Sequence, residues 1–169
     1  ENCKERGKRI VNKICAGIVL FNSDIIRLRK NIESIKKQVE KIYIVDNESN
    51  NKEEILNLIK NYPGIIYIRN DENKGIANAL NQLCQCACDD GYKWILTLDQ
   101  DTICSYNLIS KMLKFIKEPR VGILCPVVQY EGWENYNSDV DEKNFYTEIK
   151  ACMTSASLTN KKKKKNVGG

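Results

Sequence analysis

Two carboxylates, Asp99 and Asp101, leave the end of an almost wholly apolar run, Trp94-Ile-Leu-Thr-Leu98, with the neutral Gln100 between them. A turn at this point brings both toward one hard cation. Mg²⁺ or Mn²⁺ prefers such oxygen donors and keeps positions open for substrate phosphates. The structural alternative is an acidic turn capping a helix that starts near Ser105, and a single Asp-x-Asp triplet is common by chance. Asp46 ends a second apolar run, as a ligand contact or as a helix cap. As a ligand contact it predicts little loss of stability on replacement, and as a cap a loss of about 1 kcal/mol. Asn73-Lys-Gly75 opens a helix, where free backbone N–H groups favour anions and glycine permits close approach. The segment is neither GxGxxG nor GxxxxGK(S/T), so neither dinucleotide nor P-loop chemistry is indicated.

The chain contains no His, which removes His-based triads, HExxH zinc sites and imidazole bases together. Eight Cys are present, but a chain of this size does not need a disulfide framework. Cys15 and Cys125 fall in apolar runs and read as small buried hydrophobes. Cys84, Cys86 and Cys88 would fan around a helix too widely to share one zinc, and no CxxC pair exists. Reduced thiols are the expected state.

The elements that must position these residues alternate in type. Apolar runs at Ile14–Phe21, Lys41–Asp46, Ile65–Ile68, Tyr92–Asp99 and Val121–Cys125 read as strands. Between them, Ile25, Leu28, Ile32, Ile35 and Val39 follow helical spacing, as do Ile55, Leu58, Ile59 and Tyr62. Ile76, Leu80, Leu83 and Ala87 mark a third helix, and Leu108, Met112, Phe115 and Ile116 a fourth. Alternation of this kind predicts an α/β, Rossmann-like layer, a mainly parallel central sheet with helices on both faces. Ligands of such sheets bind outside the carboxyl ends of the strands, where the polar residues above are found. The stretch Gln129 to Asn144 reads as a long excursion.

Taken in order, LFN, IVDNESN, NDENKGIANALNQ, WILTLDQDT and TSASLTN ending in GG resemble the family 2 glycosyltransferases of the GT-A fold. LTLDQD and TSASLTN are most similar to the bacterial rhamnosyltransferase branch, although Ala156 stands where that branch has Gly. The likeness runs from about Lys13 to Gly169. It implies inverting sugar transfer from a nucleotide-diphosphate sugar, dTDP-rhamnose or a UDP-sugar, to a saccharide or lipid-linked acceptor in cell-surface polysaccharide synthesis. By the same resemblance Leu20, Phe21 and Asn22 would line the base pocket and Asp46 would hold the base or ribose. Asn73 and Gly75 would sit beside the nucleotide, while Asp99 and Asp101 would meet the ribose and a Mg²⁺- or Mn²⁺-bound diphosphate. The resemblance also implies a catalytic base past Gly169, so the chain reads as the donor-binding portion of a longer enzyme, without the acceptor part. On that expectation it binds donor without transferring sugar.

Two other readings stand beside this one. A nucleotidyltransferase shares the alternating sheet and an acid pair, but Phe21-Asn-Ser-Asp24 lacks the Gly-rich loop such an enzyme carries after its first strand. A non-catalytic nucleotide-sugar-binding module is the other.

The 169 residues suit one domain, 13–169, behind a basic extension, 1–12. The net charge of +5 is accounted for by Lys161–Lys165 alone, so the excess lies in one place and no nucleic-acid-binding face is expected. Such a run is usually a solvated block; the functional alternative is peripheral contact with an anionic membrane. The longest apolar stretch, Ile14 to Phe21, falls far short of the roughly 20 residues that span a bilayer. A cytoplasmic protein, peripheral at the inner face of the membrane if the lysines bind there, is the expectation.

Overall fold

The computed structural model describes residues 13–116, 121–127 and 156–160. The elements in chain order are β1 (Ile14–Leu20), α1 (Ile25–Ile35), β2 (Lys41–Asp46), α2 (Lys52–Ile59) and β3 (Ile65–Arg69). They continue as α3 (Gly75–Asp89), β4 (Trp94–Leu98), α4 (Leu108–Met112), β5 (Ile123–Leu124) and β6 (Ser157–Asn160). The sheet order is β3-β2-β1-β4-β6-β5. β1 runs parallel to both β2 and β4, β2 runs parallel to β3, and β6 runs antiparallel to its neighbours β4 and β5. The mainly parallel sheet read from the sequence is thus present, with one reversed strand.

Period-two alternation divides the core into two layers. Ala16, Ile18, Ile42, Ile44, Trp94 and Leu96 face α1, α2 and α4, meeting Leu28, Ile32, Ile55, Leu58 and Ile109. Their sequence neighbours Cys15, Tyr43, Val45 and Ile95 face α3, meeting Ala79, Leu83 and Ala87. Strands covered on both faces carry apolar residues at nearly every position, which is why they read as continuous runs. The C-terminal end of α3 is tied to β2 by Asp90, which accepts from the Tyr43 hydroxyl and, at 2.6 Å, from Lys41 Nζ. Cys15 is fully buried, while Cys125 is only partly so.

Several boundaries differ from the periodicity. α1 stops at Ile35 although Val39 still packs against the same core, because Gln38 Nε2 turns back to Ser34 O at 2.9 Å. Phe115 and Ile116 lie in turns beyond the short α4, and β5 has two residues. β6 was not expected as a strand, since Ser157-Leu-Thr-Asn160 carries one strong apolar residue. It forms because Ile95, Leu96 and Thr97 supply a partner edge, with Leu96 opposite Leu158. Ala156, immediately before it, has φ +56°, the left-handed region that a glycine enters without strain. No described helix is long and apolar enough to cross a membrane. The excursion 129–144, the basic extension 1–12 and the lysine run 161–165 lie outside the described residues.

Gly17, in the middle of β1, lies against Leu83 of α3. A Cβ there would lie 3.0 Å from Leu83 Cδ1 and 3.1 Å from Ile95 Cδ1, both on fully buried side chains with nowhere to retreat. Gly17→Val is expected to lower stability by about 1–3 kcal/mol through overpacking. An unchanged urea midpoint would show that α3 can lift off the sheet freely.

Candidate active site

The chain leaves β1 outward through β2 to β3 and then returns to place β4 on the other side of β1. That reversal sets the carboxyl ends of β1 and β4 side by side, the usual ligand position in an open α/β sheet. Phe21, Asn22 and the buried Ser23 follow β1 there, and Asp99, Gln100 and Asp101 follow β4.

The Asp99–Asp101 segment is a turn, closed by the Thr102 N–H donating to Asp99 O at 3.2 Å. Both carboxylates are exposed. Neither caps a helix: α4 begins at Leu108, six residues past Thr102, and has no side-chain cap. Asp101 Oδ2 lies 3.7 Å from Arg27 Nη1, a surface pair of little energetic consequence. The acid that does cap is Asp24, whose Oδ1 accepts from Arg27 N at 2.9 Å and starts α1. Among the described residues no group of three or more His, Cys, Asp or Glu could hold a metal alone. A cation at Asp99 and Asp101 would therefore have to complete its shell with ligand oxygens and water.

Asp46 differs from the expectation of a peripheral strand-end carboxylate. It is 0% exposed. Oδ1 accepts from Ser49 N at 2.8 Å, and Oδ2 accepts from Tyr67 Oη at 2.5 Å and Arg69 Nη1 at 2.8 Å. Arg69 sits directly opposite Asp46 in the β2–β3 register, and Tyr67, two residues earlier, points to the same face. Burial pushes the carboxyl up, but the hydrogen bonds from Ser49, Tyr67 and Arg69 outweigh it and hold it below the ordinary carboxylate range. The sequence did not single out Tyr67 or Arg69. Their signal was the i, i+2 spacing at the end of a strand beside the one that ends in Asp46.

An amide network joins the ends of β2, β3 and α3. Asn47 Nδ2 donates to Asn73 Oδ1 at 2.5 Å, and Asn47 Oδ1 accepts from Asn70 Nδ2 at 3.0 Å and Lys74 N at 3.1 Å. Asn70 and Gln82 exchange two further bonds of 3.0 and 2.8 Å. Gly75, at φ +78°, gives its N–H to Asn73 Oδ1 at 3.0 Å, and Asn73 N donates to Glu48 Oε2 at 3.0 Å. The backbone donors expected to be free for an anion at Asn73 and Gly75 are thus already engaged. Leu20 also departs from expectation: its side chain is fully buried in the core, so from that strand end Phe21, 47% exposed, and Asn22 present the surface. Beside Arg69, a cavity of about 450 Å³ is lined by Ser49, Asn50, Asn51 and the start of α2. A smaller one, about 290 Å³, lies at the amino-terminal ends of β2 and β3, away from these groups.

The family model for glycosyl transferase family 2 matches residues 15–167. The chain belongs to glycosyl transferase family 2. The mixed, mostly parallel sheet is the Rossmann-like GT-A architecture expected of that membership. This family 2 chain is 33% identical over 94 residues to a poly-beta-1,6-N-acetyl-D-glucosamine synthase of Staphylococcus aureus. The match takes in 54% of the chain and 22% of that relative, so the chain spans about a fifth of it. Among solved structures, GalNAc-T7 with UDP, GalNAc and Mn²⁺ superposes with a TM-score of 0.57 at 20% identity, covering 66% of this chain and 22% of that one. A 4-diphosphocytidyl-2C-methyl-D-erythritol synthase from Anaerococcus prevotii superposes at 0.60 and 15% identity, over 89% of this chain and 72% of that one. Likenesses at such identities concern the fold alone, and the family 2 match is what separates the readings.

The environment of Asp46 generates a prediction with a sign. Its folded-state value lies below that of the unfolded chain, about 3.9, so its contribution is complete above that pH and is lost as pH falls through the lower folded value. Unfolding in urea at pH 6 and pH 3 is expected to show a steeper acid loss for the native family 2 chain than for Asp46→Asn. Asp46→Ala, which strands Tyr67 and Ser49 N, is expected to cost about 2–3 kcal/mol at pH 7, the partial exposure of Arg69 softening the loss.

Proposed function

We propose that this chain is the donor-binding part of a glycosyltransferase that takes a nucleoside-diphosphate sugar together with Mg²⁺ or Mn²⁺. The observation that carries this reading is the Asp99–Gln100–Asp101 turn with both carboxylates exposed, set at the switch point between β1 and β4 of a family 2 chain. The donor set fits a hard divalent cation: two carboxylate groups, no sulfur or imidazole, and too few ligands to hold the ion without phosphate oxygens. When bound, the cation supplies charge neutralisation to the departing nucleoside diphosphate.

The chain's own residues do the rest of the donor-side work. Asp99 and Asp101 hold the cation end, and Phe21 and Asn22 offer the surface on which the base rests. Asp46, already saturated by Tyr67, Arg69 and Ser49, keeps the base-side loop in place and reaches a ligand only where one of those donors yields. Asn73 and Gly75 fix the start of α3 beside the nucleotide. Inversion at the anomeric carbon then needs a carboxylate base at the acceptor hydroxyl, and the acceptor is a saccharide or a lipid-linked saccharide.

Rhamnose is the donor sugar that LTLDQD and TSASLTN favour by resemblance, carried on dTDP. UDP-N-acetylglucosamine is the second reading, favoured by the name of the Staphylococcus aureus relative. Action at the cytoplasmic face of a membrane, with Lys161–Lys165 against anionic lipid, belongs to the same proposal.

Thermal unfolding with dTDP-rhamnose and with UDP-N-acetylglucosamine, each with and without Mn²⁺, tests the reading. A true donor at 100 times its Kd should stabilise the fold by about 2.7 kcal/mol, and most of that should require the metal. Asp101→Asn is expected to weaken the metal-dependent part about tenfold, roughly 1.4 kcal/mol. No shift with any nucleotide sugar, or an Asp101→Asn protein as responsive as the native one, would remove the proposal. For the membrane part, sedimentation with anionic liposomes but not with neutral ones is the expected result, and equal pelleting rejects it.

A further inference from the structure

The middle residue of the Asp99–Gln100–Asp101 turn has a role that the two carboxylates do not explain. Gln100 does not follow its neighbours into solvent. Its Oε1 joins the end of β4 to the loop after β1, accepting from Phe21 N at 3.0 Å and from Ser23 Oγ at 2.6 Å. A backbone N–H can only donate, so the atom facing it must be the amide oxygen; the orientation of the side chain is fixed by that partner. Ser23 itself is 2% exposed, so one end of the bridge is anchored inside the fold.

The loop that receives Gln100 is in turn bound to the next strand end. Asn22 N donates to Ser49 Oγ at 2.9 Å, Asn50 N to Asn22 Oδ1 at 2.8 Å, and Asn51 Nδ2 to Ser23 O at 2.8 Å. From below, the fully buried Asn31 of α1 holds the other side of the turn, donating from Nδ2 to Asp99 O at 2.7 Å. Asn31 Oδ1 has no partner among the described residues. The turn is therefore gripped at Asp99 O and at Gln100 Oε1, and both grips leave the two carboxylates unengaged by any of these groups.

We propose that Gln100 is a positioning residue: it locks the cation-holding turn of β4 to the loop after β1, so that cation and nucleotide base are presented at a fixed separation. The role rests on the functional reading above. The residue type suits it. A glutamine reaches across the gap and accepts two hydrogen bonds without adding a third negative charge beside Asp99 and Asp101. A shorter Asn falls short of the loop, and an apolar residue of the same length accepts nothing. Outer residues that orient cation ligands in this way typically govern affinity by 10–100-fold.

The test is a Mn²⁺ titration of UDP binding to the full chain, followed by calorimetry, together with urea unfolding of each protein. Gln100→Leu is expected to raise the Mn²⁺ concentration needed for half-maximal UDP binding by about 10–100-fold while leaving a cooperative fold. Ser23→Ala removes the shorter of the two bonds and should move the titration in the same direction by less. In the Gln100→Leu background, Ser23→Ala should add nothing, because the bond it removes is already gone. A folded Gln100→Leu protein with the native Mn²⁺ titration overturns the positioning role, and so do strictly additive effects of the two substitutions. If Gln100→Leu does not fold, Ser23→Ala alone decides, an unshifted titration again overturning the role. Native protein that binds neither UDP nor dTDP at any Mn²⁺ concentration overturns the functional reading and this role with it, an outcome distinct from native binding that the variants share.

Discussion

The structure is organised by the burial of β1. It lies between β2 and β4 with α1 on one face and α3 on the other, and every residue from Ile14 to Ile18 is enclosed. A strand in that position cannot carry an unpaired polar side chain on either face, because burial without a partner costs more than the fold can spare. Chemistry is therefore expelled to the strand's end. The same holds for β4, buried at all five positions, and for β2, so polar groups collect at one rim of the sheet. The order in which strands are added reverses between β1 and β4, and in an open α/β sheet that switch point at the rim is where ligands bind.

At the rim, charge is handled in two opposite ways. Asp46 is buried and saturated, its negative charge answered by Arg69 and its oxygens filled by Tyr67 and Ser49 N. Such a group holds the loops it touches and contributes to acid sensitivity, but has no spare valence. Asp99 and Asp101 are exposed, and among the described residues they meet at most a distant guanidinium. They retain the capacity to attract a cation. Between these extremes the linkages are neutral: Gln100 to Ser23, Asn22 to Ser49 and Asn50, Asn47 to Asn70 and Asn73. Amides and hydroxyls can stitch loops together without competing with a metal or a diphosphate for charge.

The alternation of apolar runs with helical spacing settled the α/β class and placed β2 and β3 to within a residue, because strands buried on both faces leave a continuous signature, whereas α2 ends at Ile59, short of Tyr62. Apolar content also kept Asp46, Asp99 and Asp101 at strand ends, since nothing else polar follows those runs so closely. The ordered set of motifs gave the family, which the match over residues 15–167 established. What periodicity could not supply was pairing. β6 has too little apolar character to declare itself and exists because β4 offers an edge. Tyr67 and Arg69 matter only because β3 lies beside β2, which brings Arg69 opposite Asp46 across 23 residues of sequence. Gln100 looked like a neutral spacer until the β1 loop came within hydrogen-bond reach, 77 to 79 residues away in the chain. Hydrophobic period is a local property that burial writes into the sequence directly, whereas a hydrogen bond between distant polar residues leaves no periodic trace and is decided only when tertiary packing sets the distance.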